Sequence, residues 1–316
     1  MSWHSASIRA TFKMPLLSDA DSPLPPLCSA SRLLRAEIQE RLDQKLIPRI
    51  GPAVSGHFWE LVKKLDSMLR DIPFASHQRG LEAGEQREGL LRTMQAIMHD
   101  MSAFNEYLGA VLAVALAQIG KKNKAANHAK DKLEALVNRN FKVPINLVKH
   151  SSFRLHWLEC FTEAEMTTGF VVGGIVEPKL HGPASHSAPV AEGYSFAFIL
   201  REVLPTFFQL CAVAEEALRQ AQLFDPVGKD LEPGKRAFDT ALLGRVLSRL
   251  AALPIRGFPN EAGVRVPQLV LQGTALAYGP QPRLLAFKHE FRVSYEVPAL
   301  QGQSYRIPYW ATDATA

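Results

Sequence analysis

Between residues 86 and 119 the apolar side chains Leu90, Leu91, Met94, Ile97, Met98, Met101, Phe104, Leu108, Val111, Leu112 and Ala115 recur at intervals of three and four. That spacing puts them on one face of a long helix, which Gly120 is expected to stop. Shorter segments carry the same period. A helix capped by Ser29 or Ser31 is predicted to run to about Leu46, with Pro48 beyond it, and another from about Val54 to Leu69, closed by Pro73. Residues 77–86 are polar and contain glycine, which predicts a loop. Helices are further expected over Lys124–Asn138, Ile145–Phe153 (opened by Pro144), Ser195–Leu223 and Arg236–Leu253.

The pattern changes twice. The stretch MTTGFVVGGIVEPK is β-branched and bounded by Gly and Pro, which predicts a short internal strand or hairpin. After residue 253 the runs VRVPQLVLQGTALAY, RLLAFKHEFRVSYEV and SYRIPYW read as strands. The expected fold is therefore mainly α, a helical bundle with a short internal β element and a β-rich C-terminal segment. Residues 1–28, rich in Ser and Pro, are expected to be an extended or disordered arm. Residues 29–225 would form the helical domain, and 226–316 a helix plus a β-rich region.

Composition alters this picture little. Of 316 residues, 47% are hydrophobic and 21% charged, as in an ordinary globular chain. The longest apolar run, 108–116, is far shorter than the roughly 20 residues needed to span a bilayer, and residues 1–13 lack the apolar stretch of a signal peptide. Cys28, Cys160 and Cys211 are odd in number and far apart, as expected of reduced thiols. The expectation is a cytoplasmic protein without membrane contact.

Charge changes the picture more. The net charge is +5, but residues 121–156 alone hold nine basic and two acidic side chains, for +7. Residues 157–235 carry −6 and residues 236–316 carry +4. A concentrated cationic stretch attracts polyanions, which makes Lys121, Lys122, Lys124, Arg139, Lys142 and Arg154 candidate nucleic-acid contacts. The same lysines also suit a solvated helix end, with the acidic block as counterweight.

Candidate chemistry is sparse. There is no CxxC pair, HExxH, GxSxG or glycine-rich phosphate loop. His181 and His186 share a loop without a neighbouring Cys or Asp, so no metal and no cofactor is expected. Asn146, Lys149 and His150 are the better candidates. On a helix, Asn146 and His150 share a face with Lys149 beside them. A near-neutral His can take the proton of an RNA 2′-hydroxyl while an amide and a cation hold the phosphate, giving metal-independent cleavage. An Asn helix cap and a structurally partnered His fit these residues too. Arg92 and His99, seven apart on the long helix, form a second candidate pair. Tyr295, Tyr305, Tyr309 and Trp310 alternate with Arg292 and Arg306, which suits base stacking, a subunit contact or edge-strand packing.

The string Asn146-x-x-Lys149-His150, placed after a basic helix, resembles the HEPN superfamily, whose members often carry Arg-Asn-x-x-x-His. It also resembles a bacterial group in which that string precedes a short β element, a Gly-Pro/His loop and an aromatic-rich helix. Here these would be Gly169–Glu177, His181-Gly182-Pro183 and Tyr194–Phe198, and the likeness spans roughly residues 85–222. Ile145 stands where the motif has its Arg. The resemblance implies a helical fold and a place in a bacterial toxin–antitoxin or antiphage defence system, as a ribonuclease or RNA-binding protein. The alternatives are a non-enzymatic helical adaptor, working with a protein partner or as a homo-oligomer, and a phage or mobile-element structural protein.

Overall fold

The computed structural model describes residues 17, 23–28, 34–77, 81–117, 124–150, 154–161, 166–176, 179–181, 193–224, 239–258, 261, 263–286 and 292–295. Most of them are helical, and the rest include small, chiefly antiparallel sheets.

The helices are α1 (Ala36–Gln44), α2 (Ile50–His77), α3 (Leu81–Leu116), α4 (Lys124–Val137), α5 (Val143–His150), α6 (Phe196–Gln220) and α7 (Thr240–Ala252). Every apolar position that defined the α3 period is buried except Leu91, which is partly buried. Helix α2 is longer than the sequence pattern predicts. It starts through Pro52, where a first turn needs no N–H, and continues past Pro73 to His77. Pro73 removes one helical hydrogen bond, while Leu65, Met68, Leu69 and Ile72 hold the preceding turns in the core. Residues 81–86, expected in a loop, form the first turns of α3. Ser29, Ser31 and Gly120 lie outside the described residues, and Arg35 stands at the N-cap of α1 without a side-chain cap hydrogen bond.

Helices α2, α3 and α6 meet at aromatic rings. Phe104 stacks on Phe207 at 4.2 Å, and Phe58 meets Phe208 edge-on at 5.7 Å. Ser195 caps α6 by accepting from Phe198 N at 3.2 Å, and the helix runs through Pro205. By length and composition α6 is apolar enough to cross a membrane, but 78% of its apolar window is buried within the molecule. Arg249 of α7 donates to the Asp66 carboxylate of α2 at 2.6 Å.

Between α5 and α6 the chain builds a sheet from β1 (Arg154–Phe161), β2 (Met166–Val176), β3 (Lys179–His181) and β4 (Gly193–Ser195). Strand β1 pairs antiparallel with β2, with Trp157 opposite Phe170, and β2 also pairs with β3 and β4. The internal β element is thus larger than the hairpin expected from MTTGFVVGGIVEPK. Leu155, Trp157, Phe170 and Val172 face the helical core, where Trp157 meets Phe196 and Phe170 stacks on Tyr194.

Beyond α7 the described strands are β5 (Arg256–Gly257), β6 (Leu269–Gln272), β7 (Ala275–Tyr278), β8 (Leu285–Ala286) and β9 (Arg292–Tyr295). Strands β6 and β7 form a hairpin, β5 and β8 a short parallel pair, and β9 joins the first sheet beside β1. Within the segment expected to be an extended arm, Leu17, Leu24 and Leu27 are buried, and Leu17 N donates to Leu276 O at 2.8 Å.

Candidate functional site

The described part of the cationic segment becomes α4, a five-residue π-helical turn (Asn138–Lys142), α5 and the first three residues of β1. Helix α4 turns Ala129, Leu133 and Val137 into the core. That leaves Asn127, His128, Lys130, Asp131, Lys132 and Ala135 exposed. Such a π turn adds a residue to the helical register and is found frequently at functional sites.

The cations of this segment divide into two kinds. Lys130, Lys132, Lys149 and Arg154 are exposed and form no ion pair with the described residues. Lys142 is half-buried, and its Nζ donates to Glu134 Oε1 at 2.5 Å. The other carboxylate oxygen, Glu134 Oε2, accepts from Asn105 Nδ2 at 3.4 Å. Asn105 Oδ1 and Asn140 Oδ1, also in this neighbourhood of α3 and the π turn, are buried without a donor among the described residues. Lys121 and Lys122 lie outside the described residues; Lys124 opens α4, and Arg139 sits in the π turn.

Helix α5 carries the candidate catalytic residues. Pro144 and Ile145 are buried, the latter 1% exposed, while Asn146 is half-buried and Lys149 exposed. His150 is the last residue of the helix, one turn beyond Asn146. The position of the motif's Arg therefore points into the core, where an apolar side chain fits and a guanidinium would need a buried partner. Arg92 and His99 are both exposed on α3, two turns apart. His181 lies in β3 opposite Gly174, and His186 is outside the described residues, as are Tyr305, Tyr309 and Trp310. Among the described residues no three His, Cys, Asp or Glu side chains cluster as metal ligands would.

Three buried polar groupings were not legible in the sequence, because their members are distant along the chain. Arg87 of α3 pairs with Glu159 of β1 at 2.9 Å, Trp157 Nε1 donates to the same carboxylate oxygen at 2.5 Å, and the Arg87 guanidinium lies 5.6 Å from the Trp157 ring centre. All three are buried, so the grouping joins α3 to the sheet and closes it to solutes. Glu261 accepts from Ser195 N at 2.8 Å and Phe258 N at 2.9 Å, tying the start of α6 to the segment after β5. Arg201 is the third, donating to Leu253 O at 2.6 Å and Pro254 O at 3.1 Å at the end of α7.

Burial also governs the thiols. It pushes the Cys28 thiol up to about 12 and Cys211 well above its ordinary value, so neither is a thiolate nucleophile near neutral pH. Comparison with known proteins returned no matching family model, no matching curated protein and no matching solved structure.

Proposed function

We infer that this protein binds RNA through the exposed cations of α4, α5 and the start of β1, as a cytoplasmic, HEPN-like component of a bacterial defence or toxin module. The observation that carries the reading is the set Lys130, Lys132, Lys149 and Arg154, exposed and without a carboxylate partner among the described residues. A phosphate backbone neutralises such side chains and releases counterions, so affinity falls with salt. The defence context rests on the Asn146-x-x-Lys149-His150 resemblance alone.

Should the face also cut RNA, His150 would take the 2′-hydroxyl proton. That oxygen would then attack the phosphorus, and the P–O5′ bond would break as the 5′-oxygen takes the proton back from His150, while Lys149 and Asn146 hold the phosphate. The burial of Ile145 favours binding without cleavage, and with it the second reading, a non-enzymatic adaptor that meets RNA and a protein partner.

The test is fluorescence anisotropy with labelled single-stranded RNA over a salt series. Four phosphate contacts give a log–log slope of about −3. Lys130→Glu with Lys132→Glu lowers affinity by at least about tenfold and flattens the slope by one to two. Salt-insensitive or absent binding overturns the reading. Incubation of the same RNA in EDTA, wild type beside His150→Ala, separates binder from nuclease: 2′,3′-cyclic phosphate ends lost in the variant would establish cleavage.

A further inference from the structure

Lys142 closes the π turn and leads into α5, where Asn146 and Lys149 follow it at intervals of four and seven. At helical spacing the three share one face, so Lys142 extends the stripe that carries exposed Lys149. Its side chain is 23% exposed, and its Nζ donates to Glu134 Oε1 at 2.5 Å, one of the three bonds an ammonium group can make. Glu134 stands one turn after Lys130 on α4, with its side chain 43% exposed. Glu134 and Asp131 are the two acidic residues of 121–156.

Exposure separates this pair from the one that Arg87 forms with Glu159. Those two side chains are 10% and 8% exposed, out of reach of a solute. Water reaches both partners of the Lys142–Glu134 pair, and pairs of that kind hold weakly because each charge is solvated nearly as well apart as together. The carboxylate keeps a second donor if the ammonium group leaves, since Asn105 Nδ2 lies 3.4 Å from Oε2. Asn105 is buried on α3, so Glu134 stays held while Lys142, on its flexible stem, is the partner that can turn outward. An RNA phosphate offers the ammonium group the same kind of charged acceptor as the carboxylate.

We propose that Glu134 is an internal competitor of the RNA backbone: its carboxylate holds Lys142 out of the cationic face, and an RNA phosphate that displaces it gains Lys142 as a further contact. This role rests on the RNA-binding reading of the face and gives that face the residue that sets its affinity. Lys142 lies in the chain between Lys130 and Lys132 on one side and Lys149 and Arg154 on the other, so the withheld contact is the one that would join the two groups of cations. Binding is then weaker and less dependent on salt than the full set of cations would make it.

The experiment applies the RNA anisotropy titrations to a double-mutant cycle of the full chain: wild type, Glu134→Gln, Lys142→Met and the two together. Removing a carboxylate strengthens attraction to a polyanion in any background, so the cycle isolates the part that needs Lys142. With Lys142 present, Glu134→Gln should tighten binding about tenfold and steepen the log–log salt slope by about 0.7, one more single-strand phosphate contact. In the Lys142→Met background the same change should give no more than about threefold, the screened long-range part, and leave the slope unaltered. Asp131→Asn, which removes an exposed carboxylate from the same helix, should give equal gains in both backgrounds. Acetylation by N-hydroxysuccinimidyl acetate without RNA, read by mass spectrometry, measures the pair independently. Lys142 should react more slowly than Lys149 in wild type and at a similar rate in Glu134→Gln. A gain from Glu134→Gln that is equal in both backgrounds, a loss of affinity, or wild-type Lys142 reacting as fast as Lys149 overturns the proposal while the RNA-binding reading stands. No RNA binding by any of the four proteins overturns both.

Discussion

His57 of α2 rests against the rings of Phe104 at 5.2 Å and Tyr107 at 6.2 Å on α3. Burial lowers its pKa from the ordinary 6.5, with Asp100 opposing and Lys64 adding to the shift. Burial likewise lowers that of His156, which lies 3.1 Å from Gly173 O. A histidine with a depressed folded pKa favours the fold while it stays neutral. The stabilisation is therefore whole above the unfolded pKa and is lost as pH falls from about 6.5 through the lower folded value. The urea midpoint should drop between pH 7.5 and pH 5, and His57→Gln should shrink that drop. An unchanged pH dependence in the variant would place the titration elsewhere. Nothing in the sequence marks His57 as different from exposed His99, since ring contacts across two helices set its environment.

Strands β2 and β4 show what an element can demand of one position. A Cβ on Gly169 would stand 2.0 Å from Tyr194 O and 2.8 Å from the Phe258 ring, and one on Gly193 would stand 2.8 Å from the same ring. Phe258, fully buried, thus packs against both glycines. Gly169→Ala should cost roughly 3 kcal/mol in chemical denaturation, as overpacking does at such contacts. Gly244→Ala in α7, where a Cβ meets nothing within 4 Å, should instead gain about 0.5–1 kcal/mol. The glycines of MTTGFVVGGIVEPK suggest a weak strand when read alone, whereas Gly169 admits a neighbour. Strand β1 escaped the sequence pattern because both of its faces are covered. Its inward Leu155 and Trp157 alternate with His156 and Leu158, which are also buried, so no apolar–polar alternation survives.

At the scale of the molecule, described segments early and late in the chain are tied to its middle. Leu27, at the end of the predicted arm, is 5% exposed and belongs to the same core as α2, α3 and α6. Strand β9 is hydrogen-bonded to β1, well over a hundred residues earlier. Leu27→Ala should lower stability by about 2–4 kcal/mol, the range for truncating a buried leucine, and a change below about 0.5 kcal/mol would mean that this segment leaves the core in solution. The low sequence period of residues 1–28 hid this role, because three leucines among serines and prolines bury without forming a regular element.

Local periodicity was enough to place α3, α6 and α7 and the cationic run of 121–156, because helix spacing and charge density are properties of neighbouring residues. Whether each cation is available depends on distant carboxylates and on burial. Lys142 is taken up by Glu134 while Lys149 stays exposed, and Ile145 faces the core where the resembled motif has Arg. Pairings such as Arg87 with Glu159, Glu261 with the start of α6, and Arg201 with the end of α7 exist only after folding. Their energy comes from low dielectric and close approach between segments that the linear order keeps apart.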